Sequence, residues 1–242
     1  MSPRSLQVAI LVILIGCTIW LWSTLALYPI KLFVVLLHEL SHGAAALLTG
    51  GEILSIEISE LIGGSCQYRG GNQLVIASAG YLGSLLWGGL ILVIASRTKY
   101  SRELGTVIAS VMIIATLLWI RNTFGVLFTM GSAILLFGFC RFFPSWVVRT
   151  LLQFLGTASC LYVIVDIYED LIRVSIYEDL IRVSQQDSDA ETLATLTGIP
   201  ALFWGVMWAL IAFAMIFYSF YLAGQPSPDP EEFEEDVEKV LI

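Results

Sequence analysis

Three residues in one apolar stretch carry the chemistry that this chain can be seen to offer. The run from Phe33 to Gly51, FVVLLHELSHGAAALLTGG, holds His38, Glu39 and His42, and the chain has two histidines in all. Residues four apart in a helix lie one above the other on the same face, so His38 and His42 can present their imidazoles to a single point. Imidazole is a neutral nitrogen donor suited to zinc. The carboxylate of Glu39, one residue round the helix, is placed to take a proton from a zinc-activated water. The His-Glu-x-x-His pattern therefore predicts one Zn2+ per chain, with His38 and His42 as ligands and Glu39 as general base. The ordinary alternative is a pair of hydrogen-bonded core histidines with Glu39 as their structural partner. Against it stands cost: an ionisable group at the centre of a membrane helix is unfavourable by roughly 3 kcal/mol, and three so close together need a joint reason.

The elements that must position these residues follow from composition. The 242 residues are 57% hydrophobic and 13% charged, more apolar than a soluble domain of this length can cover. Apolar runs of about 20 residues, enough to cross a bilayer, recur along the chain. The expected fold is an all-α polytopic membrane protein of about seven transmembrane helices, near residues 7–27, 30–50, 73–96, 104–120, 122–140, 148–166 and 201–223. The first run is too long for a secretory signal and lacks a small-residue cleavage site, so it reads as an uncleaved span. The second carries the metal motif and stops at Gly50-Gly51.

Between the second and third spans the period changes. Residues 52–62, EILSIEISELI, alternate, with Ile53, Ser55, Glu57 and Ser59 on one side and Leu54, Ile56 and Ile58 on the other. Glycine pairs 63–64 and 70–71 bound a second extended piece, SCQYR, so a short strand-like hairpin is expected directly after the metal-motif helix. A strand edge beside a metal site can hold an extended peptide by main-chain hydrogen bonds; the alternative is a plain polar connector. Gly80, Gly83, Gly88 and Gly89 in the third span have the spacing of a close helix-packing face, expected against the second span.

The charge of the body is near neutral. Seven acids between Asp229 and Glu238, against the single Lys239, place −6 of the net −8 in the C-terminal tail, and nothing suggests a nucleic-acid partner. The four cysteines, Cys17, Cys66, Cys140 and Cys160, show no paired spacing and predict neither disulfides nor a thiolate metal site. IYEDLIRVS occurs at 167–175 and again at 176–184. Nine residues are two and a half helical turns, so a continuous helix would turn the second copy away from the first; the repeat reads as a duplication in a tolerant linker. Ser188 and Glu191 have capping-box spacing and start a short helix that Gly198 and Pro200 end. Residues 1–223 thus form one membrane-embedded domain that includes the 167–200 linker, and 224–242 form an acidic, mobile tail.

HELSHGAAALLTGG, the extended segment after it and AGYLG in the next apolar span together resemble the site-2 protease type of intramembrane zinc metallopeptidases. The narrower likeness is to a compact bacterial branch with an SDA-x-x-LA-x-x-TG-x-P segment before the last span, here Ser188, Asp189, Ala190, Leu193, Ala194, Thr197, Gly198 and Pro200. The resemblance implies zinc held by His38, His42 and a later aspartate, with Glu39 as base. It also implies a multi-pass protein of a bacterial inner or plasma membrane that hydrolyses peptide bonds of membrane-associated proteins. The alternative is a non-catalytic scaffold or chaperone that retains the fold, although a pure binder has no use for Glu39. Better-known members carry the third ligand in Leu-Asp-Gly, and this chain has no Asp-Gly. Position must choose instead. Four spans return the chain to the membrane face where the motif helix ended, which leaves Asp189, matching the family segment, with Asp166, better placed within a span, as the alternative.

Overall fold

A computed structural model describes residues 3–177 and 188–225, without the side chains of Pro3, Arg4 and 169–177. Eight helices and one hairpin are seen among them: α1 (Pro3–Leu21), α2 (Tyr28–Leu48), β1 (Glu52–Ser59), β2 (Gly63–Arg69), α3 (Gln73–Arg97), α4 (Ser101–Leu118), α5 (Thr123–Phe142), α6 (Ser145–Tyr177), α7 (Asp189–Thr197) and α8 (Ala201–Ala223). Six of these helices, α2 to α6 and α8, are long and apolar enough to cross a membrane; α1 is shorter, its apolar part being Ser5–Leu21. The first span therefore ends earlier than the sequence suggested, at Leu21, and a 3-10 turn at Leu25–Leu27 leads into α2. The sixth helix ends later, at Tyr177, so the first copy of IYEDLIRVS continues α6. Most of the second copy, and the acidic tail beyond Gln225, lie outside the described residues.

α2 is the central helix. Pro29 opens it, where a missing N–H costs nothing, and Gly50, at φ +87°, closes it in a conformation that a side chain would disfavour. Leu32, Val34, Leu36 and Ala46 on α2 are fully or almost fully buried, as a helix walled in by others requires.

The hairpin does not stay at the end of α2. It doubles back along it: Ile53 and Cys66 pack over Gly43, Gly64 lies over Glu39 and Val35, and the Tyr28 hydroxyl, at the start of α2, donates to the carbonyl of Glu60 at the hairpin tip. A register shift between Ile53 and Ser55 corrects the simple alternation of the sequence. It turns Ile53 to the α2 side with the buried Ile56 and Ile58, and leaves Leu54 exposed.

Backbone at this depth must find partners. β1 has them on both sides. Outside the hairpin, Ile56 N–H donates to the Trp119 carbonyl at 2.8 Å and its carbonyl accepts from Arg121 N–H at 3.2 Å. One step on, Ile58 N–H donates to Asn122 Oδ1 at 3.1 Å, and Asn122 Nδ2 donates back at 2.7 Å. Because Ile56 and Ile58 spend their main-chain groups outward, their partners Cys66 and Gly64 are the non-hydrogen-bonded pairs of the ladder. The N–H and C=O of Cys66 and Gly64 consequently point off the other edge of β2.

Two apolar clusters flank this region. One gathers α2, the hairpin, α4, α5 and the first half of α6; the other gathers α3, the second half of α6, α7 and α8 around Tyr81, Leu193 and Trp208.

Candidate metal centre

Helical spacing performs on α2 as the motif requires. His38 and His42 lie with ring centroids 4.7 Å apart, nearly perpendicular. His42 Nδ1 is 2.7 Å from the Ile76 carbonyl, which can only accept, so the Nδ1 proton stays there and Nε2 is the nitrogen turned to the site. The His38 ring is braced edge-on by Tyr81 at 5.0 Å, and Tyr81 is backed in turn by the buried Trp208.

The third donor comes from α7. Ser188 caps this helix, accepting from Glu191 N–H, while the Glu191 carboxylate accepts from Ser188 N–H. Asp189 is thereby fixed as the first helical residue. Ala190 and the fully buried Leu193 press α7 into the second apolar cluster, and Gly198, at φ +74°, ends it before Pro200. Asp189 Oδ2 lies 3.3 Å from both His38 Nε2 and His42 Nε2. The short helix expected here forms, and docked on its neighbours it carries Asp189 to the histidines with its backbone satisfied.

The three residues fit a metal ion on their own geometry. Their donor atoms lie within 4.8 Å of one another, and two imidazoles with one carboxylate form a donor set that could hold a metal ion such as zinc. Asp189 Oδ2 is buried and makes no hydrogen bond of good geometry, although it faces two ring nitrogens. Such an oxygen asks for positive charge. Burial pushes the Asp189 carboxyl up, but the imidazoles beside it, His42 foremost, more than offset this and hold it at about 2.

Glu39, buried on the same helix, stands apart from the three donors and faces the hairpin, where Gly64 leaves room for it. A Cβ at Gly64 would lie 2.7 Å from Glu39 Oε1. A cavity of about 470 Å³ joins these parts, lined by His38, Glu39, His42 and Asp189, by Gly64, Cys66 and Tyr68 of β2, and by Tyr81 and Tyr162. α6 brings Asp166 to the same cavity but outside the three-donor group. Burial pushes the Cys66 thiol up to about 12, so it supplies no thiolate there. The acids Glu52, Glu57, Glu60 and Glu103 do not line the cavity.

The family model of the Peptidase M50B-like proteins matches residues 9–219. The chain belongs to this family. No curated protein and no solved structure matches it. Family membership and the six apolar helices make this M50B-like protein a multi-pass integral membrane protein of a peptidase family. Several residues that build the M50B-like site are not singled out by sequence reasoning. Gly64 reads as punctuation between strands and Gly80 as helix packing. The signal was present for Gly80, within AGYLG, but only the fold shows what it faces.

Proposed function

We propose that this M50B-like protein is an intramembrane zinc metalloendopeptidase that hydrolyses peptide bonds of membrane-associated proteins. His38, His42 and Asp189 are the proposed zinc ligands, and Glu39 is the general base. The observation that carries this reading is the convergence of three donor atoms from α2 and α7, with Glu39 and an open strand edge beside them. Zinc, when bound, supplies Lewis-acid polarisation of the scissile carbonyl and lowers the pKa of water.

The rest is the work of the chain. Glu39 takes the proton of the attacking water and returns it to the departing amine, so no net proton is consumed by the protein. Ile76 keeps His42 Nε2 directed at the site through the Nδ1 proton. The outer edge of β2 holds the substrate: the N–H and C=O groups of Gly64 and Cys66 face the cavity and can pair with a peptide only in extended form. A helical substrate has its own backbone groups already engaged, so it must unwind before it can bind there. Gly64 brings that edge against Glu39, which puts the base at the level of the bound backbone. The lipid bilayer is the medium in which substrate and enzyme meet.

Two measurements on the purified full chain test the proposal. Elemental analysis should find one zinc per chain, lost in His38→Ala, His42→Ala. Glu39→Gln should keep the zinc and lose cleavage of a membrane-anchored reporter. Equal zinc in the histidine variant rejects the site, and normal cleavage by Glu39→Gln rejects the mechanism. Histidine-dependent zinc together with a wild-type chain that cleaves nothing would favour the non-catalytic scaffold.

A further inference from the structure

α3 contributes no ligand atom, yet at one of its residues a side chain would have to enter the space between the donor atoms. A Cβ built on Gly80 would lie 2.4 Å from His38 Nε2 and 2.5 Å from Asp189 Oδ2, whereas those two atoms are 3.3 Å apart. Real non-bonded contacts to a methyl carbon are about 3.5–4.0 Å, so the donors and a side chain at 80 cannot both keep their places. From this we infer that Gly80 is the residue of α3 that determines metal binding: only a glycine there lets His38 and Asp189 turn their donor atoms to one ion.

What the added atom would meet separates Gly80 from Gly156 and Gly89. Gly156 meets main chain, its added Cβ falling 2.7–2.9 Å from backbone atoms of Leu92 and Gly88, so a side chain there would force α3 and α6 apart. Gly89 meets the tip of Ser219, 2.6 Å away, which can rotate. At Gly80 the nearest atoms are the far ends of two side chains, His38 and Asp189. The helices need not move to relieve that contact; His38 and Asp189 need only swing aside. Swinging aside is the loss of the ligand set, because His42 Nε2 shares the same Asp189 oxygen at 3.3 Å. A methyl so near both atoms, and an ion bonded to both, would contend for one space. Replacing a mid-helix glycine by alanine favours the helix itself, so α3 as an element gains. The expected variant is therefore folded and metal-free. Gly80 acts through the ligands and is a positioning residue.

This inference rests on the zinc reading above, and the test keeps the two apart. Zinc content and zinc affinity are measured on the full chain in detergent for wild type, Gly80→Ala, Gly89→Ala and His38→Ala, His42→Ala, with helix content followed by circular dichroism. Gly80→Ala should bind zinc at least ~100-fold more weakly than wild type, beyond the range that second-shell changes usually span. Gly89→Ala should bind as wild type, and helix content should be unchanged in both. If wild type has no histidine-dependent zinc, the metal reading itself falls and takes this inference with it. If wild type has it and Gly80→Ala retains wild-type affinity, the inference alone is overturned. Should Gly80→Ala fail to fold, it is placed in a His38→Ala, Asp189→Ala background. Folding there supports a collision with those two side chains; failure there overturns the inference in favour of a packing role.

Discussion

α2 and α7 both bring donor atoms to the site, and they do so by different means. α2 is a 21-residue helix walled in on most sides, and its two histidines meet because of their spacing alone. α7 is a nine-residue helix that has no spacing to rely on. Its aspartate arrives through a cap, one deeply buried leucine, and a neighbour at Gly80 that leaves it room. A geometry fixed by local periodicity is insensitive to what surrounds it, whereas a geometry fixed by docking depends on every contact that holds the docked piece. The α7 half of the site should therefore be the half that distant changes can weaken.

The largest effect that could break this contrast is loss of a ligand. His42→Ala and Asp189→Ala should each weaken zinc binding by more than the ~10–100-fold typical of second-shell changes, measured by competition with a chelator. Asp166→Ala should leave affinity unchanged. A fall for Asp166→Ala with none for Asp189→Ala would remove α7 from the site altogether.

Next comes the anchor. Leu193 is fully buried beneath α7, and Leu193→Ala should cost about 2–5 kcal/mol of the packing that holds this helix. Zinc affinity should fall with it, while the matching loss on α2, Leu36→Ala, should lower thermal stability with a smaller effect on affinity. Equal effects on affinity would show that the two carriers are equally dependent on their surroundings.

The cap is smaller still. Ser188→Ala should cost about 1 kcal/mol at the start of α7, and a several-fold loss of zinc affinity should be recovered in Ser188→Thr or Ser188→Asp, which can also cap. An affinity that ignores all three would mean that Asp189 does not depend on the cap.

The smallest effect is one of pH, read in the metal-free chain. The Asp189 carboxyl is held at about 2, below the value near 3.9 expected in an unfolded chain. On the acid side its contribution is in place above about pH 4 and is lost as pH falls toward 2. The difference in thermal midpoint between wild type and Asp189→Asn should persist at about pH 4 and close below it. Closure already near pH 6 would mean that the carboxyl is not held down in this way.

Much was legible in the chain itself. His38, Glu39 and His42 follow from helical spacing, which is local, and the spans follow from runs of apolar residues, which are local as well. The hairpin was legible as an alternation, and the α7 helix as Ser188, Glu191 and Gly198 in their places, because caps and turns are written in neighbouring residues. Tertiary structure alone decided the rest. It set the hairpin along α2 instead of beyond its end, and closed the β1 edge with Trp119, Arg121 and Asn122 while leaving Gly64 and Cys66 open to the cavity. It brought Asp189, and not Asp166, to 3.3 Å from both imidazoles, and it put Gly80 where a side chain would displace them. The physical reason is range. Spacing and capping act over one or two helical turns, but the approach of α7 and α3 to α2 is set by how buried surfaces fit across the whole bundle, and no short stretch of sequence contains that fit.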